Sequence, residues 1–249
     1  MSLANRSVIV TGSGHGLGKE YARAFAKEGS KVLVCDVDGP AAAKVAEDLS
    51  KSGANARSIE IDVSNEESVR RMARFAFDSF GRIDVLVNNA AIFATLERKP
   101  FFDMSSQEWD KVMSVNLKGP FLCVKAVYPF MKDQRYGKIV NISSNTVMSG
   151  GEGRCHYMTS KAGVIGLTRA LSKELGEYNI TVNAVAPGIT ESERYHPSEA
   201  TLSNRRAARS IKRNQLPGDL IGTVLFLASS ASDFVTGQTI VVDGGQMFL

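Results

Sequence analysis

The chain has 249 residues, 43% hydrophobic and 22% charged, with 30 Lys and Arg against 26 Asp and Glu. That length lets one α/β domain bury a full core, and a formal charge of +4 is too small and too dispersed to mark a nucleic-acid surface. Three cysteines without C-x-x-C spacing and three scattered histidines supply neither a disulfide framework nor a zinc site, so no metal is expected.

Residues 1–11 carry one short apolar run and a lone Arg6, with no signal-peptide core and no span of about 20 apolar residues. The expected setting is cytoplasmic, with no membrane partner. Apolar, β-branched runs at residues 7–10, 31–35, 56–61, 83–87, 138–142, 180–186 and 239–242 read as seven strands separated by amphipathic helical stretches. The runs lack polar alternation, as expected of strands covered on both faces. They predict one α/β domain over 1–249, a doubly wound seven-stranded parallel sheet with helices on both faces.

The first strand leads straight into Thr11-Gly12-Ser13-Gly14-His15-Gly16-Leu17-Gly18 and then a helix. Such a turn brings backbone close to a pyrophosphate, and the free N–H groups at the helix start point at the anion. Gly12, Gly16 and Gly18 give G-x-x-x-G-x-G in place of the usual G-x-G-x-x-G, with Ser13, His15 and Leu17 between them as further cofactor contacts.

The second strand ends at Asp36, followed by Val37, about 20 residues beyond the loop, where a carboxylate accepts hydrogen bonds from adenosine ribose hydroxyls. A 2′-phosphate would meet like-charge repulsion there, and neither Val37 nor His15 supplies a Lys or Arg, so the expected cofactor is NAD. Asp62 and Val63 after the third strand, and Asn89, Ala90 and Ala91 after the fourth, stand at further carboxyl ends, where open sheets bind ligands.

Ser144 leaves the fifth strand, and Tyr157 opens a helix predicted to end near Tyr178. Tyr157 and Lys161 are four apart, which puts them on one helix face about 5–6 Å from each other. The ammonium is expected to stabilise a phenolate. A free phenol, with a pKa of about 10, is ionised to roughly one part in a thousand at pH 7, so a nearby cation bears on proton transfer.

Together, Thr11 to Gly18, Asn88 to Ala91, Asn116, Ser144, Tyr157, Lys161, Pro187-Gly188, Val235-Thr236-Gly237-Gln238 and Val242-Asp243-Gly244-Gly245 resemble the short-chain dehydrogenase/reductase family over essentially the whole chain. The resemblance implies a Rossmann-like fold and NAD(H)-dependent hydride transfer between an alcohol and a ketone or aldehyde. It implies that Tyr157 is the general acid/base, that Ser144 hydrogen-bonds the reacting oxygen, and that Asn116 positions a proton-relaying water. Lys161 would hold the nicotinamide ribose and lower the Tyr157 pKa. Pro187, Gly188, Thr190 and Ser192 would contact the nicotinamide end.

Two positions depart from the family pattern. Ala91 stands where Gly is usual, and Ser192 stands where Thr is usual, so the carboxamide contact passes to Ser192 while Thr190 offers mainly its N–H. Within the family, Ser143-Ser144-Asn145-Thr146 and residues 163–192 are similar to NAD-dependent dehydrogenases of secondary alcohols and aromatic carbonyl compounds. By position, Phe93, Thr146 and Glu152, with Cys155 and Ile189, would line the substrate pocket. The family also implies a homotetramer built through helices starting near Ser106 and Cys155 and through the last strand.

The irregular stretch at about 190–218 reads as a substrate lid. Its Arg205, Arg206, Arg209, Lys212 and Arg213 would either steer an anionic substrate or form a solvated helix face, with Arg209 and Arg213 on one i, i+4 side. Two other readings use the same scaffold: a sugar or anionic hydroxy-compound dehydrogenase, and a 3-oxoacyl-carrier ketoreductase, whose usual NADPH Asp36 opposes. A non-catalytic nucleotide sensor or nucleic-acid-binding module, suggested by the basic lid, is disfavoured by the intact Ser144, Tyr157 and Lys161.

Overall fold

The computed structural model describes residues 3–248. Seven strands, β1 (Ser7–Thr11), β2 (Lys31–Asp36), β3 (Ala56–Glu60), β4 (Val85–Asn88), β5 (Gly137–Ile142), β6 (Ile180–Pro187) and β7 (Thr239–Val242), form one sheet in the order β3-β2-β1-β4-β5-β6-β7. Every pairing is parallel. The sheet is the predicted one, and most strand ends fall within a residue of the expected positions. β4 starts two residues late. Asp84, which precedes it, has its carboxylate engaged by the Ser7 N–H and by Arg6 and Arg82, and pairing begins only at Val8 with Val85.

Between the strands lie α1 (Gly16–Lys27), α2 (Gly39–Lys51), α3 (Glu66–Phe80), α4 (Ser106–Met113), α5 (Gly119–Asp133), α6 (Thr146–Ser149), α7 (Cys155–Leu175), α8 (Glu199–Ala208) and α9 (Gly218–Ala228). Local sequence sets several of their ends. Asp38 and Asn65 accept the Ala41 and Ser68 N–H groups to cap α2 and α3, and Gly81 ends α3 with a φ of 78°. Ser105 and Glu108 close a reciprocal capping box on α4.

Side chains alternate across each strand, and that alternation builds two cores. Val8, Val10, Val32, Val34, Val85 and Val87 point to one face, where Tyr21 and Phe25 of α1, Val45 of α2 and Leu220 and Val224 of α9 cover them. Ile9, Leu33, Leu86 and Ile139 point to the other, against Met72 of α3, Leu122 and Val127 of α5 and Leu175 of α7. The carboxyl ends of β1, β4 and β5 are thereby held rigidly at one edge of the sheet, where the loops that leave them meet.

The lid is partly regular. Its α8 stops at Ala208, and Arg209 is extended, with φ −80° and ψ 152°, so the expected helical i, i+4 face of Arg209 and Arg213 does not form. Arg209 folds inward to the carbonyls of Ile189 and Arg213, Arg213 pairs with Asp219, and Arg206 pairs with Glu199. Arg206, Arg209 and Arg213 thus stitch the lid to itself and to the loop after β6, and none of the five basic residues lines the cleft. Among the described residues, no helix is long and apolar enough to cross a membrane.

Candidate active site

A cleft of about 750 Å³ opens along the carboxyl edge of the sheet, running from Asp36 and Val37 past the glycine turn to Tyr157. Of the predicted cofactor residues, Gly12, His15, Gly16 and Leu17 line it from β1 and α1, with Asp62 and Val63 beyond β3. Asn89, Ala90 and Ala91 line it after β4, and Pro187, Gly188, Thr190 and Ser192 after β6. Ser144, Tyr157, Lys161, Phe93 and Thr146 line the opposite end.

Five expected site residues lie off the wall. Ser13 is fully buried, its hydroxyl donating to Val10 O at 2.6 Å and accepting the Cys35 N–H at 3.0 Å, so it braces the turn from behind. At Gly18 a Cβ would lie 2.2 Å from Gly12 O, which makes this glycine a packing requirement of the turn. Asn116 is buried behind the wall, and Glu152 is exposed on the turn before α7. Cys155 also falls outside the lining.

The glycine turn and the end of β2 form one unit. Asp36 accepts the Gly14 N–H at 2.9 Å and the Asp38 N–H at 3.1 Å, leaving carboxylate lone pairs for further donors. His15 donates to Asp38 at 3.0 Å, and that bond leads the causes holding the Asp38 carboxyl below its usual range. From the lid, Arg194 also lines the cleft, and its charge reaches Asp38. Nothing in the sequence marks Arg194, because a lid residue's place depends on how the loop folds back.

A second lid contact was equally hidden in the sequence. Glu193 accepts the Gly16 N–H at 2.9 Å and the Lys19 ammonium at 2.8 Å, on the positive end of α1. Lys19 first, then the Gly16 N–H, hold the Glu193 carboxyl below its ordinary range. Two residues on, the Tyr195 ring packs 4.7 Å from Phe93, which in turn lies 4.9 Å from Tyr157.

At the chemical end, α7 begins two residues before Tyr157 and presents it beside Ser144. The Ser144 Oγ accepts from Thr146 N at 3.3 Å and from Thr146 Oγ1 at 2.9 Å. With its acceptor directions filled, the Ser144 hydroxyl is left as a donor. Ser143 instead donates to Lys161 O at 2.8 Å and ties β5 to α7, in keeping with a structural role.

Lys161 donates to Ile142 O at 2.7 Å, with its Nζ 5.8 Å from the Tyr157 ring centre. Burial draws its pKa down to about 8. The Tyr157 phenol is pushed up to about 12, chiefly by burial, against the opposing pulls of a Ser144 hydrogen bond and the Arg154 charge. The protein groups alone therefore keep this phenol protonated at neutral pH, while the Lys161 ammonium on the same helix face is turned to Ile142 O.

Asn116 sits in a π turn, Ser114–Lys118, where the Gly119 N–H reaches back five residues to Ser114 O. Pro120 has no N–H to give the Asn116 carbonyl four residues earlier. The Asn116 side chain is occupied elsewhere, accepting from Ile92 N at 2.7 Å and donating to Ile92 O at 3.1 Å and Ser160 Oγ at 3.2 Å. It fixes the loop after β4 against α7.

A family profile described as enoyl-(acyl carrier protein) reductase matches residues 12–247. The chain is 39% identical to the (2S)-[(R)-hydroxy(phenyl)methyl]succinyl-CoA dehydrogenase subunit BbsD of Thauera aromatica, over 99% of this chain and 98% of that one. It is 37% identical to the 3-oxoacyl-[acyl-carrier-protein] reductase FabG of Aquifex aeolicus, over 98% of each. Among solved structures, a candidate short-chain alcohol dehydrogenase from Sinorhizobium meliloti superposes with a TM-score of 0.92 at 34% identity, covering 98% of this chain and 96% of that one. A candidate gluconate dehydrogenase from Agrobacterium tumefaciens does so with a TM-score of 0.90 at 33% identity, covering 100% and 98%.

Fold, cleft and relatives together define an oxidoreductase of the Rossmann-like class that works with nicotinamide cofactors. The chain belongs to the short-chain dehydrogenase/reductase family.

Proposed function

We propose that this protein is an NAD(H)-dependent alcohol dehydrogenase or carbonyl reductase of one domain, residues 1–249, with Tyr157 as its general acid/base. The observation that carries the reading is the convergence of a buried phenol, a donor-ready Ser144 and a buried Lys161 at one end of a cleft whose other end is a glycine turn bound to Asp36. The cleft suits a dinucleotide. Gly16, with φ of 52°, leaves open space where a Cβ would meet nothing nearer than 3.8 Å, and Gly12 could not carry a side chain without approaching Ala90 Cα to 2.7 Å.

The nicotinamide, when bound, would give or take the hydride. Ser144 would donate its O–H to the substrate oxygen, oriented by Thr146. Tyr157, protonated at neutrality, would give its proton to a carbonyl oxygen or take one back from a hydroxyl. Lys161, anchored on Ile142 O, would hold the nicotinamide ribose. The Asn116 carbonyl, without a donor from Pro120, would hold a relay water. Asp36 would accept from the adenosine ribose and select NAD. The Phe93 ring beside Tyr157, with Tyr195 packed on it, suits an aryl secondary alcohol, in keeping with the phenyl group in the Thauera relative's name.

A second reading is a 3-oxoacyl-carrier ketoreductase, supported by the relatives named FabG and by Arg194, the one lid cation placed to meet a 2′-phosphate. The enzyme would reside in the cytoplasm as a homotetramer. Assembly through α4, α5 and α7 is supported by the apolar patch of Met113, Leu117, Phe121 and Leu167 on those helices.

The test is a screen of aryl and aliphatic alcohols, sugars and hydroxy acids with NAD+ and NADP+, beside a 3-oxoacyl thioester with NADPH, using the wild type and Tyr157→Phe. Turnover of an alcohol with NAD+ that Tyr157→Phe abolishes supports the first reading. Thioester reduction with NADPH alone would transfer support to the second.

A further inference from the structure

We infer that Arg154, the residue immediately before α7, is a positioning residue of the reaction: its guanidinium, seated across Phe93 from the substrate end, favours the ionised Tyr157 phenol during alcohol oxidation. The inference rests on the assignment of Tyr157 as the acid/base group.

Three contacts place the charge. Arg154 Cζ lies 4.7 Å from the Phe93 ring centre, and that ring lies 4.9 Å from the Tyr157 ring, so one aromatic side chain touches both cation and phenol. Nη2 donates to Leu96 O at 3.0 Å, which fixes the group in place. Nε is buried without a partner, and among the described residues no carboxylate pairs with this guanidinium. Glu152, the nearest acid in sequence, is exposed. Arg154 is half-buried, and a cation partly withdrawn from water with no carboxylate beside it acts over longer range than one free on the surface.

The groups facing Tyr157 are few. Arg154 approaches from the turn before α7, Lys161 from α7, Ser144 from the end of β5, Phe93 from the loop after β4 and Tyr195 from the lid. Of the two cations, Lys161 is turned to the Ile142 carbonyl, and burial brings its own proton loss to about pH 8. A guanidinium does not deprotonate in this range. Alcohol oxidation releases a proton and is favoured at alkaline pH, where Arg154 is the cation that persists.

In that direction the alcohol loses its hydroxyl proton to the Tyr157 phenolate while the hydride goes to NAD+, so the rate rises as the phenol ionises. The experiment is the pH profile of kcat for NAD+-dependent oxidation of the alcohol returned by the screen, in wild type, Arg154→Gln and Arg154→Lys, with thermal unfolding in parallel. Arg154→Gln should move the rising limb upward by about 0.5–1 pH unit, and Arg154→Lys should restore it. Should Arg154→Gln fail to fold, Arg154→His serves, being neutral above a pKa of about 6.5.

An unmoved limb in the neutral variant overturns the inference. So does an equal shift in Arg154→Lys, which would assign the effect to the Leu96 hydrogen bond, and so does a rise in KM alone. Retained turnover in Tyr157→Phe is a different result, and removes the reading on which the inference stands.

Discussion

Glu193 and Gly16, 177 positions apart in the chain, are joined by a 2.9 Å hydrogen bond from the Gly16 N–H to the carboxylate, which pins the lid to the glycine turn. Lys19 adds a charge-assisted bond at 2.8 Å. Glu193→Gln keeps the shape and removes the charge. We expect trypsin to cut after Arg194 several-fold faster in that variant, because local opening of the lid is easier.

Acid should act as the mutation does. The Glu193 carboxyl is held below its ordinary range by Lys19 and the Gly16 N–H, so the fastening is present above the usual glutamate pKa and is lost as pH falls through the lowered one. Lid cleavage by an acid-tolerant protease, followed downward from pH 5, should accelerate in the wild type and stay flat in Glu193→Gln.

Asp36→Ala should narrow the preference for NAD over NADP by about tenfold or more, since it removes a charged acceptor for ribose hydroxyls and a repulsive charge for a 2′-phosphate. The ratio of the two kcat/KM values measures it. An unchanged ratio would detach Asp36 from cofactor choice. Adding Arg194→Gln should lower NADP use below that of Asp36→Ala alone.

Lys161 carries a stability signature. Its folded pKa, about 8, lies below that of a free lysine, so the buried ammonium opposes folding below pH 8, and the penalty fades as pH rises toward 10.5. Lys161→Met, of similar length and uncharged, should be more stable than the wild type at pH 7 by on the order of 2–3 kcal/mol, an advantage that shrinks by pH 10. Denaturant melts at the two pH values test this, and the variant should be inactive at both.

Two glycines should respond oppositely to one methyl group. Gly18→Ala places a Cβ 2.2 Å from Gly12 O and 2.5 Å from Asn89 Nδ2. It should cost about 1–3 kcal/mol and abolish dinucleotide binding, read by NADH fluorescence. Gly222→Ala in α9 meets nothing within 4 Å and should add about 0.5–1 kcal/mol.

The sheet was legible because its inner strands, buried on both faces, leave mainly apolar runs, and the cleft because glycines, Asp36 and Asn89 sit where those runs end. Tyr157 and Lys161 announced themselves by helical spacing. Less legible were contacts made across the fold. Glu193, Arg194 and Tyr195 belong to a lid whose path no local pattern encodes, and Arg154 gains its place only because Phe93 folds beneath it. Asn116 was marked, yet its amide serves the Ile92 backbone, an arrangement visible only once the π turn is seen. The helical spacing of Tyr157 and Lys161 predicted proximity correctly but did not reveal that the ammonium turns to Ile142.

One tight turn, closed by the mutual backbone bonds of Ser192 and Tyr195, carries both Glu193 and Tyr195. A molecule that pushes the tyrosine ring from Phe93 must therefore tug on the fastening at the start of α1, and a nucleotide sliding beneath that fastening must resettle the ring. The two halves of the reaction mixture would thus be coupled through four residues, each ligand altering the affinity for the other by the same factor.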